Sequence, residues 1–145
     1  MILIINTTDA KKVFIGLANK SRLIAQKEFT AQYQQAEKLL PEIDGLLKKQ
    51  ACQFESLKAI FVVSGPGPFT ALRIGVVTAN TLSWALKIPV IGLKLNEFKN
   101  EHDLTKKGLS KLRKTEAVDI IEPFYGKKPN ITIRRRSRQA RRKKK

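Results

Sequence analysis

The chain has 145 residues, one cysteine and a formal net charge of +17. That length suits one modest domain with a real core, and a lone cysteine excludes a disulfide framework and fits a reducing compartment. No apolar run approaches the length of a membrane span, and the N-terminus MILIINTTDAKK lacks the basic region and cleavage site of a signal peptide, so a soluble cytoplasmic protein is expected.

The charge is uneven. Residues 127–145 hold eleven Lys/Arg and no acid, whereas residues 1–126 hold eighteen Lys/Arg against twelve Asp/Glu. The body is therefore only mildly basic, and the extreme belongs to the tail.

Met1–Ile5 is a continuous apolar run, read as a central strand buried on both faces. A polar turn follows, then a second strand over Val13–Ala18. After Asn19-Lys20-Ser21 comes a third, more polar strand over Arg22–Phe29, suited to a sheet edge. Short turns make these three an antiparallel meander. Ala36, Leu39, Leu40, Ile43, Leu46 and Leu47 then recur at helical spacing and predict an amphipathic helix over Tyr33–Lys49, offset by Pro41. Lys58–Ser64 is a fourth strand, reached through a helix and so parallel to the first. A second helix over Ala71–Leu86 and a fifth strand over Ile88–Leu93 complete an α/β order βββαβαβ, with a five-stranded mixed sheet and both helices on one face.

The turn before the second helix is the most distinctive stretch. Gly65-Pro66-Gly67-Pro68-Phe69-Thr70 cannot continue a strand; Pro68 suits a first helical position and Thr70 an alternative cap. Glycines before a helix N-terminus suit an anion, but no Lys-Ser/Thr pair follows, and Pro66 and Pro68 lack an N–H. The helix itself is apolar nearly all round, so it is buried on more than one side. Ala71, Gly75, Ala79 and Ser83 form one ridge of small side chains. A mid-helix glycine costs about 0.5–1 kcal/mol relative to alanine, and close approach of another backbone would offset this. That backbone belongs either to this chain or to a partner; the pattern alone fits both.

As a string, GPGPFTALRIG over Gly65–Gly75 resembles the signature of the TsaB (YeaZ) family of bacterial tRNA threonylcarbamoyladenosine biosynthesis proteins, roughly GPGSFTGLRIG. EKLLPEIDGLL over Glu37–Leu47 is similar to that family's first helix, and IPVIG over Ile88–Gly92 to its IPVVGV strand. The resemblance covers Met1 to about Asn96. It implies a single lobe of the actin-like ATPase (RNase H-like) fold over residues 1–96, with most of the second lobe missing. It departs from the pattern at Asn6, where the family usually has Asp, and at Gln35-Ala36, where it usually has His-Ser. An amide at position 6 cannot carry the charge with which a superfamily carboxylate helps position metal and phosphate.

Beyond the lobe, residues 97–117 read as a charged linker or one or two exposed helical turns, with His102 a solvated surface residue. Residues 118–133 look extended and resemble the family's C-terminal end, with its P-x-Y segment. Residues 134–145 are too polar to fold and are expected to be disordered, on an extended basic C-terminal tail.

The residues hold no Ser-His-Asp or Cys-His arrangement, no paired-carboxylate motif and no metal-ligand cluster, so no catalytic residue, cofactor or metal site is expected. Cys52 reads as a small semi-buried filler. The resemblance implies a non-catalytic subunit paired as a heterodimer with a TsaD homologue, the subunit that transfers threonylcarbamoyl to an adenosine of ANN-decoding tRNAs, with TsaE as an additional partner. It implies contact through the two helices, at Leu39, Ile43, Leu46, Phe69, Ala71, Leu72, Arg73, Gly75, Val76, Ala79 and Ser83; the same helices could pair a homodimer when the chain is alone. Two alternatives remain: a degenerate paralogue of that family, and a small RNA-binding protein. The second would act through tail cations Arg134, Arg135, Arg136, Arg138, Arg141, Arg142, Lys143, Lys144 and Lys145, which neutralise phosphates without reading bases.

Overall fold

A computed structural model describes residues 1–115 and 120–126. Five strands, β1 (Ile2–Asn6), β2 (Lys12–Asn19), β3 (Arg22–Thr30), β4 (Ala59–Gly65) and β5 (Val90–Lys94), form one sheet in the order β3-β2-β1-β4-β5. β1–β2 and β2–β3 pair antiparallel; β1–β4 and β4–β5 pair parallel. The predicted meander and the parallel crossover are both present. β3 is an edge strand whose residues alternate between exposed and half-buried, as its polar sequence requires.

Side chains alternate across the sheet with period two and build two cores. Leu3, Ile5, Val13, Ile15, Leu17, Ile60 and Val62 face one side, where Leu39, Ile43, Leu46, Leu47, Val76 and Ala79 of α1 (Gln35–Lys49) and α2 (Phe69–Leu86) cover them. Both long helices thus lie on one face, as predicted. Ile2, Ile4, Phe61, Val63, Ile91 and Leu93 face the other side and pack with Leu104 of a third helix, α3 (Glu101–Lys114). The central strands β1 and β4 are buried on both faces, which is why they read as unbroken apolar runs.

α3 settles the reading of residues 97–117 as a charged linker or one or two exposed helical turns on the helical side and extends it: Glu101–Lys114 is a continuous helix of 14 residues, with Leu104, Thr105 and Gly108 buried. Its start is fixed by Asn100, whose side chain accepts the Asp103 N–H at 2.8 Å, while the Asp103 carboxylate accepts the Lys99 N–H at 3.0 Å. Its apolar positions are few, but Gly108 lets the helix sit directly on the Phe61 ring; a Cβ there would lie 2.5 Å from ring carbons. His102 is exposed, as expected.

The helix starts also shift. Tyr33 takes a left-handed φ of 61° and belongs to the turn before α1. α2 begins at Phe69, two residues before the predicted Ala71, with Pro68 rather than Thr70 at its cap position. β5 begins at Val90 because Lys87 closes α2 in a left-handed conformation, φ 56°, two residues ahead of Pro89.

Candidate docking face and signature loop

The small ridge of α2 points into the molecule. Ala71, Gly75, Ala79 and Ser83 are all buried, and the backbone that approaches Gly75 belongs to this chain. A Cβ at Gly75 would lie 2.2 Å from Thr7 Oγ1 and 2.8 Å from Thr7 Cγ2, just beyond the end of β1. Leu72 and Val76 are buried alongside, as are Leu39, Ile43 and Leu46 of α1. This corrects the expected contact set: nine of its eleven residues form this chain's own core. Only Phe69 and Arg73 of that set reach solvent.

The exposed side of α2 lies opposite the ridge and carries its largest side chains. Phe69 is 46% exposed, Val77 57% and Trp84 82%, with Arg73 and Thr81 also exposed along the same stripe. Tyr33, before α1, is 90% exposed, and Leu40 on α1 is 46% exposed. Two hollows open along this surface. One, of about 400 Å³, runs from Tyr33, Ala36 and Glu37 across to Phe69, Thr70 and Ile74. The other, of about 450 Å³, is lined by Leu40, Pro41, Asp44, Phe54, Leu82, Ala85 and Leu86. A stripe of large apolar groups flanked by two hollows is a surface able to take knobs from a facing helix. Sequence reasoning missed Tyr33, Leu40, Val77 and Trp84. The available signal was that Val77 and Trp84 sit opposite the smallest residues of α2.

Charge on this face is sparse. The Arg73 guanidinium lies 5.4 Å from the centroid of the Phe69 ring. The first turn of α2 has no acid to offset the helix dipole, so a cation at Arg73 is held against the dipole by its contact with the ring. On α1, Asp44 pairs with Lys48 one turn on.

The signature loop is packed by the chain itself. Gly65 takes φ 138°, a region open to glycine, and its peptide bond to Pro66 is cis. A Cβ at Gly65 would lie 1.8 Å from the carbonyl oxygen of Phe124, and one at Gly67 would lie 2.9 Å from Thr8 Cα. Pro68 caps α2 with φ −58°, and Thr70 is exposed. Residues 120–126, part of the stretch read as extended, cross the loop: the Phe124 N–H donates to Ser64 O at 2.7 Å and Tyr125 stacks on Phe69. The rest of that stretch and Arg134, Arg135, Arg136, Arg138, Arg141, Arg142, Lys143, Lys144 and Lys145 lie outside the described residues. At the end of β1, Asn6 Oδ1 accepts from Thr8 N–H at 3.0 Å and from Thr8 Oγ1 at 2.6 Å, so the amide closes a local turn. Among the described residues, no group of three His, Cys, Asp or Glu could hold a metal ion, and no helix is long and apolar enough to cross a membrane.

Known proteins resemble the chain over this lobe. The family model for "TsaD: tRNA N6-adenosine threonylcarbamoyltransferase" matches residues 24–98, just over half of the chain. The tRNA threonylcarbamoyladenosine biosynthesis protein TsaB of Bacillus subtilis (strain 168) is 33% identical over 76 residues, 52% of this chain and 33% of that protein. The protein of the same name from Buchnera aphidicola subsp. Acyrthosiphon pisum is 30% identical over 93 residues, 64% of this chain and 38% of its own length. The solved structure of YeaZ from Pseudomonas aeruginosa superimposes with a TM-score of 0.59 at 26% identity, covering 64% of this chain and 43% of that one. This chain thus spans between a third and a half of the length of these relatives. With α1, β4, the signature loop, α2 and β5 all inside residues 24–98, the chain belongs to this threonylcarbamoyltransferase family, on its TsaB (YeaZ) branch.

Proposed function

We propose that the chain serves tRNA threonylcarbamoyladenosine biosynthesis as a non-catalytic subunit that docks a TsaD homologue, which carries the transfer chemistry. The observation behind this is the exposed α1–α2 face: Trp84 at 82% exposure, with Val77, Phe69, Leu40 and Tyr33, is more apolar surface than a lone lobe has reason to present. The relatives are named for the same modification, and the whole chain has one histidine and one cysteine to offer for catalysis. Docking therefore uses the side of the helices opposite the small ridge. Arg73, at the rim, pairs with a carboxylate of the partner; Arg73→Ala should weaken association, and unchanged affinity would remove that contact. A TsaE-like protein would join the assembled pair.

The test is co-purification with a TsaD homologue in high salt, followed by calorimetry. Trp84→Ser and Val77→Glu should each abolish the complex while leaving thermal unfolding of the free chain within about 0.5 kcal/mol of wild type, as for exposed positions. Retained affinity in both variants would refute docking through this face.

A second reading attaches to the tail. Eleven cations without an acid over residues 127–145 suit phosphate capture, so tRNA is a second, salt-sensitive partner whose capture assists modification. Deleting residues 134–145 should leave the protein complex intact and raise the KM for tRNA at moderate salt. An unchanged dependence on tRNA concentration would dismiss this role.

A further inference from the structure

Seven residues, Ile120–Gly126, form a strap across the signature loop and α2, held at Ile121, Phe124 and Tyr125. The Asn80 side-chain amide reads the backbone of Ile121 twice, donating to its carbonyl at 2.8 Å and accepting its N–H at 2.9 Å. The Phe124 N–H donates to Ser64 O at 2.7 Å, and the Lys94 ammonium sits 4.2 Å from the centroid of the Phe124 ring. Tyr125 lies flat on Phe69, with ring centroids 4.3 Å apart and planes at 21°. Two glycines under the strap make room for it: a Cβ at Gly65 would strike the Phe124 carbonyl, and one at Gly92 would lie 2.9 Å from Ile121 Cγ2.

The strap also reaches the exposed face. Phe69 carries Tyr125 on its ring, has Arg73 nearby, and lines the hollow shared with Tyr33 and Ile74. A body seated in that hollow meets a Phe69 whose position is set by Tyr125. We propose that the strap is a third element of the docking face, and that seating of the strap and binding of the partner favour each other. This rests on the docking reading above. Asn80 acts as a positioning residue: half-buried beside the exposed stripe, three residues after Val77 and four before Trp84, it spends both ends of its amide on the Ile121 backbone and so holds the strap that carries Tyr125. By linkage, whatever the seated strap adds to partner affinity, the partner must return as added seating of the strap.

The test measures affinity of the full chain for the TsaD homologue by calorimetry, together with hydrogen–deuterium exchange of the 120–126 amides. Asn80→Ala and Tyr125→Ala should each weaken binding by about three- to tenfold, the scale of one lost aromatic stack. Tyr125→Phe, which keeps the ring, should bind as wild type, and partner addition should slow exchange at Ile121 and Phe124. Full affinity in both alanine variants, or exchange at the strap that is indifferent to the partner, would reduce the strap to a seal over the loop and overturn the inference. If Trp84→Ser abolishes binding in the same series, that failure is confined to the strap and the docking reading stands. A wild-type chain that shows no association overturns both.

Discussion

Replacing Gly75 by alanine tests whether α2 faces inward as described. An alanine Cβ would meet Thr7 Oγ1 at 2.2 Å, Thr7 Cγ2 at 2.8 Å and Thr7 Cβ at 3.0 Å. Thr7 is fully buried and β-branched, so it cannot swing into solvent, and a simple rotation exchanges one substituent for another. Overpacking of this kind costs about 1–3 kcal/mol. Alanine returns about 0.8–1 kcal/mol of helix propensity. A clash this short with a side chain that cannot move aside belongs in the upper part of that range, about 2–3 kcal/mol, so the net expectation is a loss of about 1–2 kcal/mol and a fall in Tm of roughly 3–10 °C for a domain of this size. Thr7 offers a control, because its hydroxyl is buried without a hydrogen-bond partner among the described residues. An unpaired buried hydroxyl costs about 1–3 kcal/mol, so Thr7→Ala alone should be close to neutral once its lost methyl is counted. Thr7→Ala with Gly75→Ala should then recover most of the loss, with a coupling of about 1 kcal/mol or more in a double-mutant cycle read by urea denaturation. A Gly75→Ala chain as stable as wild type, or a loss indifferent to residue 7, would refute an inward-facing ridge and return it to the role of a contact surface.

Three further outcomes follow from the packing. Gly65→Ala should destabilise the chain by about 1–3 kcal/mol through its strained φ and also release the strap, read as faster exchange at Phe124; unchanged exchange would mean the strap does not depend on this glycine. Asn100→Ala should cost about 0.5–2 kcal/mol through loss of the α3 cap, and a chain of unaltered Tm would show that α3 needs no cap. Burial pushes the Glu97 carboxyl up, but the Lys111 ammonium and the Lys94 N–H outweigh burial and hold it below its ordinary value. A depressed carboxylate contributes stability that is present above its unfolded pKa and lost as pH falls through the folded one. Glu97→Gln should therefore destabilise at neutral pH and flatten the acid limb below about pH 4.5, and an acid limb of wild-type slope would contradict this.

The strands were legible because burial on both sheet faces leaves no polar position from Ile2 to Ile5 in β1 or from Ala59 to Val63 in β4, and the polar alternation of β3 marks an edge. α1 was legible for the same kind of reason: Leu39, Ile43, Leu46 and Leu47 fall on one face, and those are the residues that are buried. α3 was not, since Leu104, Leu109 and Leu112 are sparse among charges, and the close seat of Gly108 on the Phe61 ring joins residues far apart in the sequence. The orientation of α2 could not be read at all. Its apolar residues surround it, so no face is excluded, and a small-residue ridge serves a sheet and a partner helix equally well. What decides is Thr7, far away in sequence, whose side chain fills the space that Gly75 leaves.

The same reasoning bears on the loop from Gly65 to Thr70. Two glycines ahead of a helix suggest a cradle for an anion, and the local string cannot say what approaches them. Here each is accounted for by the chain's own backbone: Gly65 by the Phe124 carbonyl and Gly67 by Thr8. Phe69, the first residue of α2, is covered on one face by Tyr125. At the end of β1, the position where the superfamily usually places a carboxylate, the Asn6 side chain is taken up by Thr8. The glycines and prolines that make this stretch recognisable are thus the means by which β4, α2, the β1 turn and the strap converge within a few residues. Their spacing reflects that convergence, and Phe69 carries it out to the exposed face.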